Sequence, residues 1–306
     1  MTRPDPHTSG NHPTAGTPEA PERLDIARAT LDDWQVVTGW AADEGWNPGL
    51  ADSRSFFAQD PDGFFIGRVD GEPVSAISVV DYGDDYAFLG FYLVRPDLRG
   101  RGYGIATWKA GLAHADGRTV GLDGVPDQQD NYRKSGFGLE HTTVRYAGVP
   151  RSPRPAAGEP APGAVVPVAE AGGLKAIALY DSHCYPAERP RFLASWLAGD
   201  GHRALARVVE GRVTGYGVIR PARDTFRVGP LFADTPQDAR ALFDALLAAV
   251  GRAAVAVDVP ESNPAAVALA EGYGLTPGFA TARMYTGPVR RFAQERIFGI
   301  TTLELG

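Results

Sequence analysis

Cysteine is nearly absent: Cys184 stands alone among 306 residues, which excludes an internal disulfide and fits a reducing compartment. No apolar run approaches the ~20 residues that a membrane-spanning helix needs. The first residues lack the basic-then-apolar order of a secretory signal. Together these features predict a cytoplasmic protein with no membrane partner. An excess of basic residues is missing as well. The net charge is −7, so no strongly basic face for nucleic acid is implied. Mild acidity favours cationic ligands only weakly and serves solubility equally well.

Hydrophobic periodicity is lacking in two places. Residues 1–23 are rich in Pro, Gly, Thr and His and read as a disordered tail, with His7 and His12 incidental there and no metal site implied. Residues 149–167 are polar and Pro-rich and read as a semi-stiff linker. Between and beyond them lie 24–148 and 168–306, each long enough for a domain with its own core.

In the first of these, Thr30 followed by Asp33 reads as a helix cap. The helix carries Trp34, Val37 and Trp40 on one side and ends at Gly45. A short helix follows Asp52 with Phe56 and Phe57, then strands at 63–70, 73–81 and 86–94, a helix at 104–114 and a strand at 118–123. The second segment repeats the first. Val69-Asp-Gly matches Val209-Glu-Gly, Gly90 matches Gly229, Gly136 matches Gly274, and Val144-Arg145-Tyr146 matches Arg283-Met284-Tyr285, at offsets of 138 to 140. A near-constant offset over several anchors argues for an internal duplication.

Arg99-Gly100-Arg101-Gly102-Tyr103-Gly104 follows the apolar strand ending at Val94. Three glycines in six residues let the backbone turn tightly and bring its N–H groups close to an anion. A helix follows, so its N-terminal partial positive charge adds to the attraction. The loop reads as a pyrophosphate cradle. The spacing is wrong for a dinucleotide-binding Rossmann fingerprint, and no ribose-binding acid follows a second strand.

The segment Val94-Arg95-Pro96 through Gly104, with Tyr132-Arg133-Lys134-Ser135-Gly136-Phe137 about thirty residues later, resembles the coenzyme A signatures of the GNAT superfamily of N-acyltransferases. Asn263-Pro-Ala-Ala-Val-Ala-Leu-Ala-Glu-Gly-Tyr-Gly-Leu275 resembles a further helix of that superfamily. Glu44-Gly-Trp-Asn-Pro-Gly49 and Phe298 to Gly306 resemble a group of tandem GNAT proteins. The resemblance implies an α/β (α+β) fold of two tandem GNAT domains, each a mixed central sheet flanked by helices. It implies acetyl-CoA as cosubstrate and no metal. The backbone of Tyr92, Leu93 and Val94 would hydrogen-bond the pantetheine arm, and Arg99, Gly100, Arg101, Gly102, Tyr103 and Gly104 would hold the pyrophosphate. Tyr132 would protonate the departing thiolate, and Asn131 would contact the pantetheine or the phosphates. Arg133 and Lys134 either reach the 3′-phosphate or form a solvated helix face. The superfamily's usual asparagine is replaced here by Val125.

The duplication is unequal. Where the first segment has Arg99 to Gly104, the second has Gln237-Asp-Ala-Arg-Ala-Leu242, with no glycine and with an acid at Asp238. Tyr132 corresponds to Ala270. The second segment is thus read as degenerate, shaping the acceptor pocket or merely stabilising the first. Residues 24–150 alone, if soluble, are then expected to bind coenzyme A and to lose acceptor turnover. Candidates for binding or deprotonating an acceptor amine are Glu44 and Trp46, with Asp84, Asp85 and Asp123 as rivals. Asp258 echoes Asp123 in the second segment, which suggests a structural role for both. The leading expectation is an N-acetyltransferase acting on a small primary amine by direct attack in a ternary complex. Alternatives are a protein lysine or N-terminal acetyltransferase, or a non-catalytic acyl-CoA sensor. Oligomeric state stays open.

Overall fold

The computed structural model describes residues 23–151 and 162–306. Most of the expected tail and the middle of the expected linker lie outside the described residues. In the first repeat the elements are β1 (Asp25–Arg28), α1 (Leu31–Asp43), α2 (Asp52–Gln59), β2 (Phe64–Val69), β3 (Glu72–Tyr82), β4 (Tyr86–Val94), α3 (Tyr103–His114), β5 (Thr119–Gly124), α4 (Gln129–Lys134) and β6 (Gly138–Gly148). The second contains β7 (Ala164–Pro167), α5 (Gly173–Asp181), α6 (Pro190–Trp196), β8 (Arg203–Val209), β9 (Arg212–Pro221), β10 (Phe226–Ala233), α7 (Pro236–Ala248), β11 (Val255–Pro260), α8 (Pro264–Gly272), β12 (Thr276–Tyr285) and a short β13 (Ile297–Gly299). The stretch expected as linker therefore ends in a strand, β7, which pairs with β8.

Local chemistry accounts for several boundaries. Thr30 and Asp33 form a reciprocal capping box at the start of α1, as the sequence predicts, and Gly45 takes a φ of 81° just past its end. Thr235 and Asn263 cap α7 and α8 with their side chains, each followed by proline at the first helical position.

The strands form one continuous mixed sheet in the order β1-β2-β3-β4-β5-β12-β6-β11-β10-β9-β8-β7. Adding six to each strand label of the first repeat, and four to each helix label, maps it onto the second, so a pseudo-twofold axis runs between β12 and β6. The last strand of each repeat is exchanged. β12 pairs with β5, and β6 pairs with β11. This corrects the picture of two self-contained segments: residues 24–150 alone lack the strand that covers β5. The register also shifts the match at the exchanged strands by one residue. Arg283 faces Asp123 and Arg145 faces Asp258, so Arg145 corresponds to Arg283.

One core belongs to both repeats. Trp34, Phe56, Phe64 and Phe91 of the first pack with Phe192, Trp196 and Tyr216 of the second. Smaller cores lie under α3 and α4, and under α7 and α8. Buried ion pairs cross the boundary. Arg220 bonds Asp52 at 2.8 and 3.1 Å, and Arg145 bonds Asp258 at 2.7 and 3.2 Å.

Residues 300–306, after β13, run through the middle of the molecule and are buried throughout. The sequence predicts a packed strand here; only Ile297–Gly299 is strand, and the remainder is a buried turn. The Leu305 carbonyl accepts from Tyr82 and Tyr185, and Arg189, itself paired with Asp181, donates to Thr301.

Candidate active site

Both repeats open a gap in the sheet at the same place. Parallel pairing of β4 with β5 stops at Leu89–Leu122. Immediately afterwards β4 carries a bulge, with Phe91 and Tyr92 opposite Ile77 alone and Phe91 at a φ of 46°. The edge Gly90–Val94 thereby turns away from β5 and leaves a backbone edge facing a cleft. In the second repeat β10 bulges between Val228 and Leu231, and its pairing with β11 stops at Val228–Val257. There the gap is filled by β13, which pairs with Leu231 and Phe232. Among the described residues, no strand fills the gap of the first repeat.

The glycine loop sits at the mouth of the open gap. Gly100 and Gly102 have φ values of 82° and 87°, and Gly102 directly precedes α3. A Cβ on Gly104 would stand 2.8 Å from the Tyr92 hydroxyl. Each glycine is thus required by backbone geometry or by close packing. The N–H groups of α3's first turn emerge beside this loop, which suits a pyrophosphate. In the second repeat α7 occupies the equivalent place, and its Asp238 is bound to Arg207 at 3.0 Å.

Tyr132 lies on the opposite side of the gap. Its ring stacks on Trp108 with centroids 5.5 Å apart and crosses β5 at Gly124, where a Cβ would come within 2.7 Å of it. Burial, reinforced by nearby Tyr92, pushes its pKa well above that of an ordinary tyrosine, so it holds its proton at neutral pH.

The gap leads into a cavity that is partly open to solvent. Its walls from the first repeat are Trp46, Leu89, Gly90, Phe91, Tyr92, Leu122, Asp123, Val125, Gln128 and Tyr132. Phe279, Thr281, Leu303 and Glu304 close it from the other side. The structure therefore brings Trp46, Tyr92, Asp123 and Tyr132 together. Trp46 is held through its carbonyl, which accepts from Arg145 of β6 at 2.6 Å and from Arg227 of β10, in the second repeat, at 3.1 Å.

Other candidates lie elsewhere. Glu44 is ion-paired with Arg99 on the glycine loop and does not line the cavity. Asp84 and Asp85 are exposed in the β3–β4 turn, and Asp84 borders a separate acidic cleft with Asp60 and Asp81. Asp123 reaches the cavity wall, but both its oxygens bond Arg283; burial raises its pKa and Arg283 opposes that rise. Asn131 donates to Gln128 at 2.9 Å, Arg133 pairs with Asp130 at 2.6 Å, and Lys134 is exposed at the end of α4. Asp60, Asp81 and His114 place ligand atoms within 4.8 Å of one another, but Arg118 lies 3.3 Å from Asp81 and already supplies positive charge there.

Glu304 was not singled out in the sequence. It is a glutamate between leucines in an apolar segment, and only that break in the apolar pattern could have drawn attention to it.

Comparison with known proteins accounts for this arrangement. Residues 26–137 match the acetyltransferase (GNAT) family model, and residues 177–299 match a second acetyltransferase (GNAT) domain model. A holothin acyltransferase from a Pseudoalteromonas strain is 35% identical over 279 residues, spanning 91% of this chain and 93% of the relative. The chain belongs to the GNAT acetyltransferase family. It is an acyltransferase of the GNAT type, in a family that uses acyl-CoA. Among solved structures, a Pyrococcus horikoshii protein provisionally assigned as an acetyltransferase superposes with a TM-score of 0.77 at 21% identity, covering 97% of this chain and 100% of its own. A tandem GNAT protein from the clavulanic acid biosynthesis pathway gives 0.59 at 18% identity, covering 87% and 99%. Both show the fold alone. No helix among the described residues of this GNAT protein is long and apolar enough to cross a membrane.

Proposed function

We propose that this GNAT protein transfers an acetyl group from acetyl-CoA to the primary amine of a small molecule by direct attack in a ternary complex. The observation that carries the reading is one cavity bounded by the open β4 edge, by Tyr132 and by Phe279, Thr281, Leu303 and Glu304. A site roofed by the second repeat favours a compact acceptor over an extended peptide. The 35% identity to a holothin acyltransferase over nearly the whole chain supports the same class.

Acetyl-CoA supplies the activated thioester. The edge Gly90–Val94 presents backbone groups to the pantetheine arm as a neighbouring strand would. The loop Arg99–Gly104 and the start of α3 hold the pyrophosphate. Tyr132, kept protonated by burial, donates to the departing sulfur. The apolar walls exclude water from the thioester.

The test incubates the full chain with acetyl-CoA and holothin, a panel of small primary amines, or peptides bearing a lysine or a free N-terminus. Thiol release and product mass are followed. Acetylation of holothin or of a small amine is expected. Turnover with the peptides alone would replace the acceptor class, and thiol release with none of them would leave an acyl-CoA sensor.

A further inference from the structure

Glu304 sits where the buried turn after β13 crosses the open gap of the first repeat. Its backbone packs directly on β4: a Cβ on Gly90 would lie 2.1 Å from the Glu304 carbonyl oxygen. The residue is 2% exposed, and neither carboxylate oxygen has a hydrogen-bond partner. Four charged groups influence it. Arg227 of β10 and Arg145 of β6 attract it, whereas Asp52 of α2 and Asp258 of β11 repel it. Neither arginine donates to it. Arg145 bonds Asp258 and the Trp46 carbonyl, and Arg227 bonds Asp258 and the carbonyls of Trp46 and Asn47.

A buried carboxylate with every lone pair unused is costly, and native structures rarely leave one so. The cavity that Glu304 borders also contains the β4 edge and Tyr132. The Nε of Arg227 is likewise buried without a partner, and an acceptor amine entering the cavity would bring the Glu304 carboxylate an N–H donor. We propose that the Glu304 carboxylate receives the acceptor amine and takes its proton as the nitrogen attacks the thioester. This rests on the amine-transfer reading above.

The balance is simple. The nitrogen lone pair forms the N–C bond, the C–S bond breaks, and the electron pair leaves on sulfur. One proton passes from nitrogen to Glu304 and one from Tyr132 to sulfur. Exchange through solvent then returns Glu304 to the carboxylate and Tyr132 to the phenol. Burial raises the pKa of Glu304 above the ordinary glutamate range, with Arg227 and Arg145 opposing, and so brings it nearer to that of an effective base at neutral pH. The segment after β13 would then serve two ends. It follows the strand that closes the gap of the second repeat, and it arms the gap of the first.

The experiment compares wild type, Glu304→Gln and Glu304→Asp in the full chain, with acetyl-CoA and whichever of holothin or the amine panel the wild type acetylates. We expect Glu304→Gln to lose ~10²–10⁴-fold in kcat/KM at neutral pH, with acetyl-CoA affinity by calorimetry unchanged within about twofold. The wild-type rate should rise with pH as Glu304 loses its proton. In Glu304→Gln that acid limb should vanish, leaving only the rise set by the amine's own ionisation, which wild type and variant share. Glu304→Asp should keep the limb with a partial loss of rate, which preserves the test if the Gln variant folds poorly. The Tm of Glu304→Gln should not fall, because an unpaired buried charge is removed.

Retained turnover and an unchanged acid limb in Glu304→Gln would overturn the assignment while leaving amine transfer intact. A lowered Tm with the pH profile unmoved would instead make Glu304 a structural counter-charge to Arg145 and Arg227. A wild-type enzyme that acetylates no amine would overturn the amine-transfer reading, and this assignment with it.

Discussion

Asp123 of β5 and Arg283 of β12 join points 160 residues apart through paired hydrogen bonds of 3.1 and 2.7 Å. Asp258 of β11 and Arg145 of β6 repeat the arrangement across the pseudo-twofold axis. Each pair ties an exchanged strand to the repeat that receives it. The echo of Asp123 in Asp258 is thus a structural one, even though Asp123 borders the cavity.

Arg283→Ala should therefore destabilise the protein by about 3–5 kcal/mol, because it strands the buried Asp123 carboxylate. Urea denaturation measures this. A loss under ~1 kcal/mol would mean that the pair does not clamp β12, given what breaking such a pair normally costs. Asp258 adds a pH signature. Burial pushes its pKa up, but Arg145 and Arg227 outweigh that and hold it at about 2. Its contribution to stability is fully present above the unfolded value of ~3.9 and is lost as pH falls toward 2.

Strand exchange makes the repeats interdependent. Residues 23–151 expressed alone leave β5 without β12 and β6 without either neighbour, exposing long apolar edges. That fragment should aggregate, and co-expression with residues 162–306 should restore a soluble 1:1 complex that binds acetyl-CoA. A monomeric first fragment that unfolds cooperatively and binds acetyl-CoA by itself would contradict this.

One acetyl-CoA per chain is expected, because β13 fills the second gap and α7 brings Asp238 where the first repeat has its glycine loop. Calorimetry should give a stoichiometry of one. Gly102→Glu should abolish binding, since the backbone there has a φ of 87° and the new carboxylate would face the phosphates. Two equivalent sites in the wild type would sink the idea.

Tyr132→Phe should lower kcat by ~10²–10⁴-fold while acetyl-CoA affinity barely changes, because the ring keeps its stacking on Trp108. Rapid-quench measurement of the chemical step decides the matter. Unchanged chemistry would leave Tyr132 as packing beside the thioester.

The sequence by itself determined the local devices. Gly100, Gly102 and Gly104 beside an apolar strand specify a tight turn, because only glycine tolerates those dihedrals and that approach to Tyr92. The Thr30 cap and the hairpins were legible for the same reason, since each depends on residues close together in the chain, and the repeat was legible because such local signals recur at a near-constant offset. What only the tertiary structure decided is where distant pieces meet. The alternation of β12 is the same whether it covers β5 or β11, so periodicity carries no record of the exchange. Nothing local marks β13 as the filler of the second gap. Glu44 looked like a base because it borders a crowded loop, but the fold pairs it with Arg99. Beyond its break in the apolar pattern, nothing local singles out Glu304, but the fold buries it, unpartnered, beside Gly90 and the cavity. Burial and partnership are set by which surfaces close on one another, and that is a property of the folded whole.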